Sequence, residues 1–222
     1  MRPIYASVSA LLGMTCALSA IAAEPFNYDY LGITYDYQRI GVDGFSEELE
    51  GHRVTAIYSE ELKQGLIYQA FGTTEFTDDE LMNSGDSYFY ERDSIDLGVS
   101  LGTHIPFTAK ADAVGTVKLG YAFYDVYSSL KVDGDATTTV VDESGSEPFA
   151  DISAGIRWFL DDYNSIDIQP LLGVIVTEDT NDAYFRGRVS TRLVGTMEAY
   201  IDMTTYLDSD YRAFGTGMFL YY

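Results

Sequence analysis

Apolar and polar residues alternate with a period of two along most of the chain. This is the spacing of a β-strand whose two faces meet different surroundings. The clearest case is segment 95–101, whose apolar side chains share one face: Ile95, Leu97, Val99 and Leu101. The same pattern recurs at 116–123, 151–158 and 165–174, and the helical period is absent. The pattern predicts an all-β protein.

Polar stretches divide this pattern into ten predicted strands. They lie at 28–39, 50–60, 65–76, 88–102, 113–127, 149–159, 164–176, 183–193, 197–207 and 211–222. Alternation is unbroken from 183 to 207, which exceeds the roughly 9–11 residues of one transmembrane strand, so a turn is expected near Gly195.

The connections between the predicted strands are of two kinds. The segments 40–49, 77–87, 128–148 and 177–182 are acidic and mostly longer, whereas 160–163 and 194–196 are tight. Short turns at one end and longer loops at the other are typical of a transmembrane β-barrel. We therefore predict an antiparallel transmembrane barrel of ten strands, with eight strands as the alternative.

A soluble barrel with an apolar interior would show the same alternation, so the charges on the polar face become decisive. That face carries six acids and six bases: Asp36, Asp96, Asp151, Asp167, Glu198 and Asp202 against Arg53, Lys118, Arg157, Arg186, Arg188 and Arg192. A narrow lumen requires such a balance because each enclosed charge needs a partner. Glycines on the same face, such as Gly98 and Gly120, would leave room for the arginines. We predict a charged, narrow or plugged lumen.

Residues 1–23 are predicted to be a secretory signal peptide, followed by the barrel domain at 24–222. Arg2 gives a short positive start, an apolar stretch follows, and Ala22 and Ala23 offer a cleavage site. The single cysteine, Cys16, lies within this leader, so the mature chain is expected to form no disulfide and no thiolate metal site.

Composition supports a folded, exported protein. The 222 residues carry 13 Lys and Arg against 35 Asp and Glu, yet 46% are hydrophobic and 14% aromatic, unlike a disordered acidic chain. A formal charge of −22 without a basic run argues against a nucleic-acid partner. Removal of the leader takes away Arg2 and no acid, leaving −23. Because the predicted lumen is balanced, the excess is expected in loops and turns.

Aromatic residues near the predicted strand ends suggest girdles at the two membrane interfaces. Tyr88, Tyr90, Tyr124, Tyr127, Tyr184, Tyr206 and Tyr211 lie near the longer connections, and Trp158, Phe159, Tyr221 and Tyr222 lie near the opposite ends. The strand propensity of tyrosine is the simpler explanation for some of them.

Residues suited to catalysis or metal binding are few. Hydrolysis would need a histidine, and only His52 and His104 are present. His104 falls in a predicted turn at 103–110, and the parity of His52 places it on the lipid side. The carboxylates at 133, 135, 142 and 143 lack the other ligands of an EF-hand loop. We expect no enzyme activity, no metal and no cofactor.

The last strand resembles a known sorting signal. It ends on Tyr222, with Leu220 two residues before it and Gly217 five before, whereas Gly215 departs from the expected polar position. This is similar to the C-terminal signal of Gram-negative outer-membrane barrels, which their assembly machinery recognises. In organisation the chain resembles small porin-like proteins, most closely the ten-stranded proteins once described as quorum factors. The resemblance implies a cell outer membrane location and says little about activity.

These observations favour a monomeric outer-membrane protein that acts as a structural or surface-interaction barrel with acidic extracellular loops. A narrow channel for small solutes or ions is the alternative, and an outer-membrane hydrolase is a weaker one. The expected partners are outer-membrane lipid and, through the C-terminal strand, the barrel-assembly machinery.

Overall fold

The computed structural model describes residues 26–63, 65–83, 85–132, 137–178 and 180–222. The described residues form ten strands: β1 (Tyr30–Gly41), β2 (Glu48–Lys63), β3 (Leu66–Asn83), β4 (Asp86–Thr108), β5 (Ala111–Lys131), β6 (Thr138–Phe159), β7 (Ile166–Val176), β8 (Asn181–Arg192), β9 (Met197–Tyr206) and β10 (Tyr211–Tyr221). The predicted leader, with Cys16 and its cleavage site, lies outside the described residues.

Each strand pairs antiparallel with its neighbours in the chain, and β1 pairs with β10 to close the barrel. The closing register runs from Tyr30 opposite Tyr221 to Ile40 opposite Tyr211. Because the strand number is even, the first and last strands bring Phe26 and Tyr222 to the same end. We call this the lower end, and the opposite end the upper end.

The two faces of the barrel differ as a membrane protein requires. Large apolar side chains project outward, including Leu97 at 54% exposure and Ile201 at 65%. The inward residues are mostly polar or charged, for example the buried Gln38 and Glu198. A soluble barrel would have the reverse arrangement. The prediction of a ten-stranded antiparallel transmembrane β-barrel is therefore confirmed.

The wall of the barrel is much taller on one side. Strands β3 to β6 contain 18, 23, 21 and 22 residues, whereas β7 to β10 contain 10 to 12. The difference between β6 and β7 amounts to roughly 36 Å of strand at ~3.3 Å per residue. We call the upper parts of the four long strands the protruding sheet; they comprise 78–83, 86–93, 124–131 and 138–147.

The protruding sheet corrects two predicted loops. Segments 77–87 and 128–148 are mostly strand: β3 continues to Asn83, β4 begins at Asp86, and β6 begins at Thr138. Water reaches both faces of a sheet above the bilayer, so its strands need no apolar alternation, and their polarity resembles that of loops. The turn predicted at 103–110 is also wrong, because β4 continues to Thr108. The turn at Gly195, where φ is +59°, is confirmed.

Inward-facing glycines make room for aromatic rings, not for arginines as predicted. A Cβ added at Gly98 would lie 2.5 Å from the ring of Phe71, and one added at Gly120 would lie 2.6 Å from the ring of Phe149. The bare backbone of one strand thus accommodates a ring from the next, a pairing that strengthens glycine-containing sheets.

The predicted aromatic girdles are largely wrong, because the strand register turns most of those rings to the inner face of the sheet. Trp158, Tyr222 and Tyr127 face outward, but the others share the inward parity of their strands, and Phe159 and Tyr184 are buried.

Within the described part of the chain, no helix is long and apolar enough to span a membrane.

Candidate functional site: the barrel lumen

The lumen contains three cavities that become smaller toward the lower end. The uppermost, about 640 Å³, opens between Glu75, Arg92 and Asp208. A second, about 230 Å³, lies at mid-barrel among the charged residues, and a third of about 70 Å³ lies below it, lined by Tyr28 and Arg157 among others. The space therefore narrows from an upper vestibule to a filled lower end.

Three ion pairs lie along the wall of the lumen at mid-height. The Arg53 guanidinium donates from Nε to Asp36 Oδ2 at 2.9 Å. Arg188 Nη2 lies 3.1 Å from Asp202 Oδ2, and Lys118 Nζ lies 3.8 Å from Asp151 Oδ2. In all three pairs the partners face each other directly across adjacent strands: β1 with β2, β8 with β9, and β5 with β6. The register of the strands thus creates the pairs.

Aromatic rings and hydroxyl groups make further contacts with these charged side chains. The Arg188 guanidinium lies 3.9 Å from the ring centroid of Tyr200, within cation–π range. Arg186 Nε donates to Thr204 Oγ1 at 3.0 Å, and Tyr184 donates its hydroxyl proton to Asp151.

Three of the twelve residues predicted for the charge network lack a close ionic partner. Among the described residues, Asp96, Arg186 and Arg192 form no ion pair within 4.0 Å. Asp96 lines the vestibule with Arg53, and the Arg192 guanidinium lies over the Phe159 ring at 5.6 Å.

The strongest charge cluster lies near the lower end. The Arg157 guanidinium donates two hydrogen bonds to Asp167, from Nε at 3.1 Å and Nη2 at 2.9 Å. Nη2 also lies 2.9 Å from Glu198 Oε2. The three side chains are between 2% and 8% exposed. One fork-shaped cation therefore binds two carboxylates in an enclosed site, where a charge without any partner would be costly.

The segment that precedes β1 closes the lumen beneath this cluster. The Phe26 ring stacks on Phe159 with centroids 4.3 Å apart and an interplanar angle of 5°. The Arg157 guanidinium also lies over the Phe26 ring, 5.1 Å from its centroid. Tyr28 donates its hydroxyl proton to Asp112 at 3.2 Å. Phe26 and Tyr28 are 4% and 6% exposed, so they are enclosed as a core residue would be. We call residues 26–29 the N-terminal plug.

His104 supports the plug from β4. Its Nδ1 lies 3.0 Å from Asp112 Oδ2, its Nε2 lies 3.3 Å from Glu61 Oε1, and its ring contacts Tyr28 at 4.4 Å between centroids. The His104 and Asp112 side chains are fully buried. Both ring nitrogens face carboxylates, so the imidazole holds strands and plug together.

The sequence interpretation missed several inward residues: Glu61, Glu75, Arg92, His104 and Asp112. All five have the inward parity of their strands. Glu61, His104 and Asp112 lay just outside the strands predicted at 50–60, 88–102 and 113–127. Extending each alternating segment by a few residues would have identified these three. Phe26 and Tyr28 precede the first strand, and no periodic signal indicates that they turn into the lumen.

His52 lies on the outer surface, as its parity indicated. Its Nδ1 is 2.7 Å from the hydroxyl of Tyr35, and its ring lies near Phe76 at 5.1 Å. The carboxylates considered for a metal include residues 133 and 135, which lie outside the described residues. Asp142 and Glu143 are adjacent on β6 and point to opposite faces. Within the described residues, no three His, Cys, Asp or Glu side chains are placed to hold a metal ion.

The C-terminal strand forms part of the closure. Leu220 and Tyr222 face outward at 50% and 60% exposure. Gly217 faces inward, where a Cβ would lie 2.7 Å from the Tyr200 ring. The Tyr222 hydroxyl donates to the carbonyl oxygen of Ser59 on β2 at 3.2 Å. The terminal residue is thus held at the lower rim by a strand beyond β1.

Comparisons with known proteins bear on the fold. No family model matches the chain, and no curated protein matches it in sequence. The translocator domain of the autotransporter NalP from Neisseria meningitidis superimposes with a TM-score of 0.55 and 10% identity, over 98% of this chain and 97% of that one. The transport unit of the autotransporter AIDA-I from Escherichia coli superimposes with a TM-score of 0.47 and 8% identity, over 100% of both chains. The NanC porin superimposes with a TM-score of 0.45 and 8% identity, over 86% of this chain and 100% of that one. The likeness to the NalP domain shows that this chain has the fold of an outer-membrane β-barrel.

Proposed function

We propose that the protein is a monomeric, integral outer-membrane barrel that presents a surface for interaction and keeps its lumen closed. The observation that carries this proposal is the N-terminal plug, in which Phe26 and Tyr28 fill the lower lumen against Phe159 and the Arg157 cluster. A general diffusion pore would need an open path, which larger barrels of 16–18 strands have.

The proposal places the upper end outside the cell. Phe26 and Tyr222, the first and last described residues, lie at the lower end, which we assign to the periplasm. The C-terminal strand, with Gly217, Leu220 and Tyr222, would then engage the assembly machinery from that side. The protruding sheet and the loop at 42–47 would face the exterior and carry much of the acidic excess, while outer-membrane lipid surrounds the apolar belt.

We further propose that the barrel has no enzymatic role. A catalytic histidine must have a ring nitrogen free to exchange a proton with a substrate or nucleophile. His104 is enclosed between Asp112 and Glu61, and His52 lies on the outer surface beside Tyr35. Neither side chain faces the upper vestibule.

The alternative is a narrow channel, favoured by the 640 Å³ vestibule that opens at the upper end. Planar-bilayer recording of the refolded full chain separates the two functions. A closed barrel gives no steady conductance, and Phe26→Ala opens a lower exit that Tyr163→Ala does not, since Tyr163 is 90% exposed at the same end. Steady conductance of the unaltered protein that changes in Arg188→Glu would contradict the closed barrel and establish the channel.

A further inference from the structure

One edge of the protruding sheet is exposed along β6. Pairing between β6 and β7 begins at Ala150 opposite Val176 and continues only downward. Above this point, residues 138–149 pair with β5 on one side, and no other described strand pairs with their second edge. Alternate residues of such an edge direct unpaired backbone N–H and C=O groups into solvent, where another strand can bind them.

The other edge of the protruding sheet is covered differently. The Asp79 carboxylate on β3 accepts a hydrogen bond from the backbone N–H of Glu50, and the Asn83 side chain donates to the carbonyl oxygen of Gly44. Phe45 also packs against Tyr88 at 6.0 Å between ring centroids. The loop between β1 and β2 and the beginning of β2 therefore occupy the β3 edge, and the edge along β6 is the more accessible one.

Two irregularities limit the part of the exposed edge along β6 that can pair with another strand. The register shifts between Ser128 and Ser129, which leaves Val140 as an unpaired bulge residue, and Pro148 has no N–H to donate. Between them lies a regular stretch, residues 141–147, which we call the β6 edge. It carries Asp142, Glu143 and Glu147 and no base.

The surrounding charge determines what could bind there. The protruding sheet contains ten acids and two bases, Arg92 and Lys131. Pairing of two copies through this edge would bring three carboxylates from each copy together without a compensating cation. Like charges at cross-strand positions destabilise pairing, whereas opposite charges favour it. The edge therefore excludes its own copy and suits a basic partner.

We propose that the β6 edge binds an extended, basic segment of a partner protein, which adds to the protruding sheet as an antiparallel strand. Main-chain hydrogen bonds supply the attachment, and side chains supply the selectivity. Glu143 and Glu147 share one face and Asp142 lies on the other. A complementary segment has a Lys or Arg opposite Glu147, another four residues later opposite Glu143, and a third immediately after it opposite Asp142. This inference rests on the proposed surface-interaction role and specifies the class of partner.

The test uses a fluorescent synthetic peptide with the spacing Lys-x-x-x-Lys-Lys, in which x is Thr or Val, and the full-length barrel in lipid nanodiscs. Saturable binding is expected. It should be lost when alternate peptide amides on one edge are N-methylated, because this removes main-chain hydrogen bonding and keeps the charge. Glu143→Gln with Glu147→Gln should weaken binding about fivefold, the sum of two modest cross-strand pairs.

Asp78→Asn with Glu80→Gln is the matched control, since it removes the same charge from β3 and should change binding less than twofold. Equal weakening by the two double variants would overturn the inference in favour of general electrostatic attraction. Binding that survives N-methylation would also overturn it, as would no saturable binding of the unmodified peptide. Conductance of the same preparation is recorded separately, so failure of the closed-barrel proposal is distinguishable from failure of this one.

Discussion

The lower charge cluster and the protruding sheet share strand β6, yet their charges are organised in opposite ways. Near the lower end, Arg157 contacts both Asp167 and Glu198 in an enclosed site. In the protruding sheet, Asp93 lies directly opposite Asp125, and both side chains are exposed. Water screens the second arrangement and is excluded from the first. The environment along a strand therefore decides whether its charges must be paired.

The largest effect is expected from removing the cation of the lower cluster. Arg157→Met leaves Asp167 and Glu198 enclosed without a partner, so the unfolding free energy should fall by about 3–5 kcal/mol. Urea titration of the barrel refolded in lipid vesicles measures this change. Arg39→Met is the matched control, because Arg39 forms longer ion pairs at 3.6 and 3.8 Å with Glu48 and Glu50 and is 46% exposed. Its loss should cost at most about 1 kcal/mol.

A rescue variant distinguishes the loss of charge pairing from the loss of side-chain packing. Adding Asp167→Asn and Glu198→Gln to Arg157→Met removes the unpaired charges while keeping the shapes, and should recover most of the lost stability. If the triple variant were as unstable as the single one, packing of the Arg157 side chain, and not its charge, would be the cause.

The second effect concerns the close approach of strands inside the barrel. Gly98→Ala places a methyl group 2.5 Å from the carbonyl oxygen of Leu119 and from the Phe71 ring. The backbone cannot yield freely, so overpacking should cost about 1–3 kcal/mol. Gly72→Ala on the outer face has only a contact of 3.4 Å with Leu97 and should be nearly neutral. Urea midpoints of the two variants measure the contrast, and equal midpoints would show that the interior is more adaptable than these distances indicate.

The parts of the fold that could be predicted are those where the two faces of a strand meet different surroundings. Segment 95–101 has lipid on one side and the lumen on the other, and its alternation indicated both strand and orientation. Above the bilayer both faces meet water, so segments 77–87 and 128–148 carried no such signal. Polarity alone predicts loops there, and the predicted strands are consequently too short.

The candidate site was predictable in composition and less so in geometry. Parity alone placed Arg157, Asp167 and Glu198 on one face. Their assembly depends on the offset between strands around a tilted barrel, which the sequence does not display. The N-terminal plug was missed for a different reason: Phe26 and Tyr28 are held by contacts with residues far along the chain, Phe159 and Asp112, and have no local pattern.

A smaller effect, of opposite sign to the first, is expected in the protruding sheet. Asp93→Asn relieves the repulsion with Asp125 directly across the strand pair, so it should raise the unfolding free energy by a few tenths of a kcal/mol. The gain should shrink as salt is added, because both side chains are exposed. Urea titrations at low and high salt measure it. A loss of stability comparable to that of Arg157→Met would contradict the contrast between the two regions.

The smallest effect concerns Asp161, in the turn between β6 and β7 at the lower end but outside the lumen. Hydrogen bonds from the Ser165 hydroxyl and from the backbone N–H groups of Ser165 and Ile166 lower the pKa of its carboxyl group to about 2. A carboxyl group whose pKa is lowered on folding stabilises the fold above its ordinary pKa of about 3.9, and this contribution is lost as the pH falls through about 2. Ser165→Ala should therefore raise the pKa of Asp161, measured by the carboxyl NMR signal, whereas Tyr163→Ala in the same turn should leave it in place. Equal titration in both variants would mean that the backbone N–H groups of the turn, and not the Ser165 hydroxyl, set the pKa of Asp161.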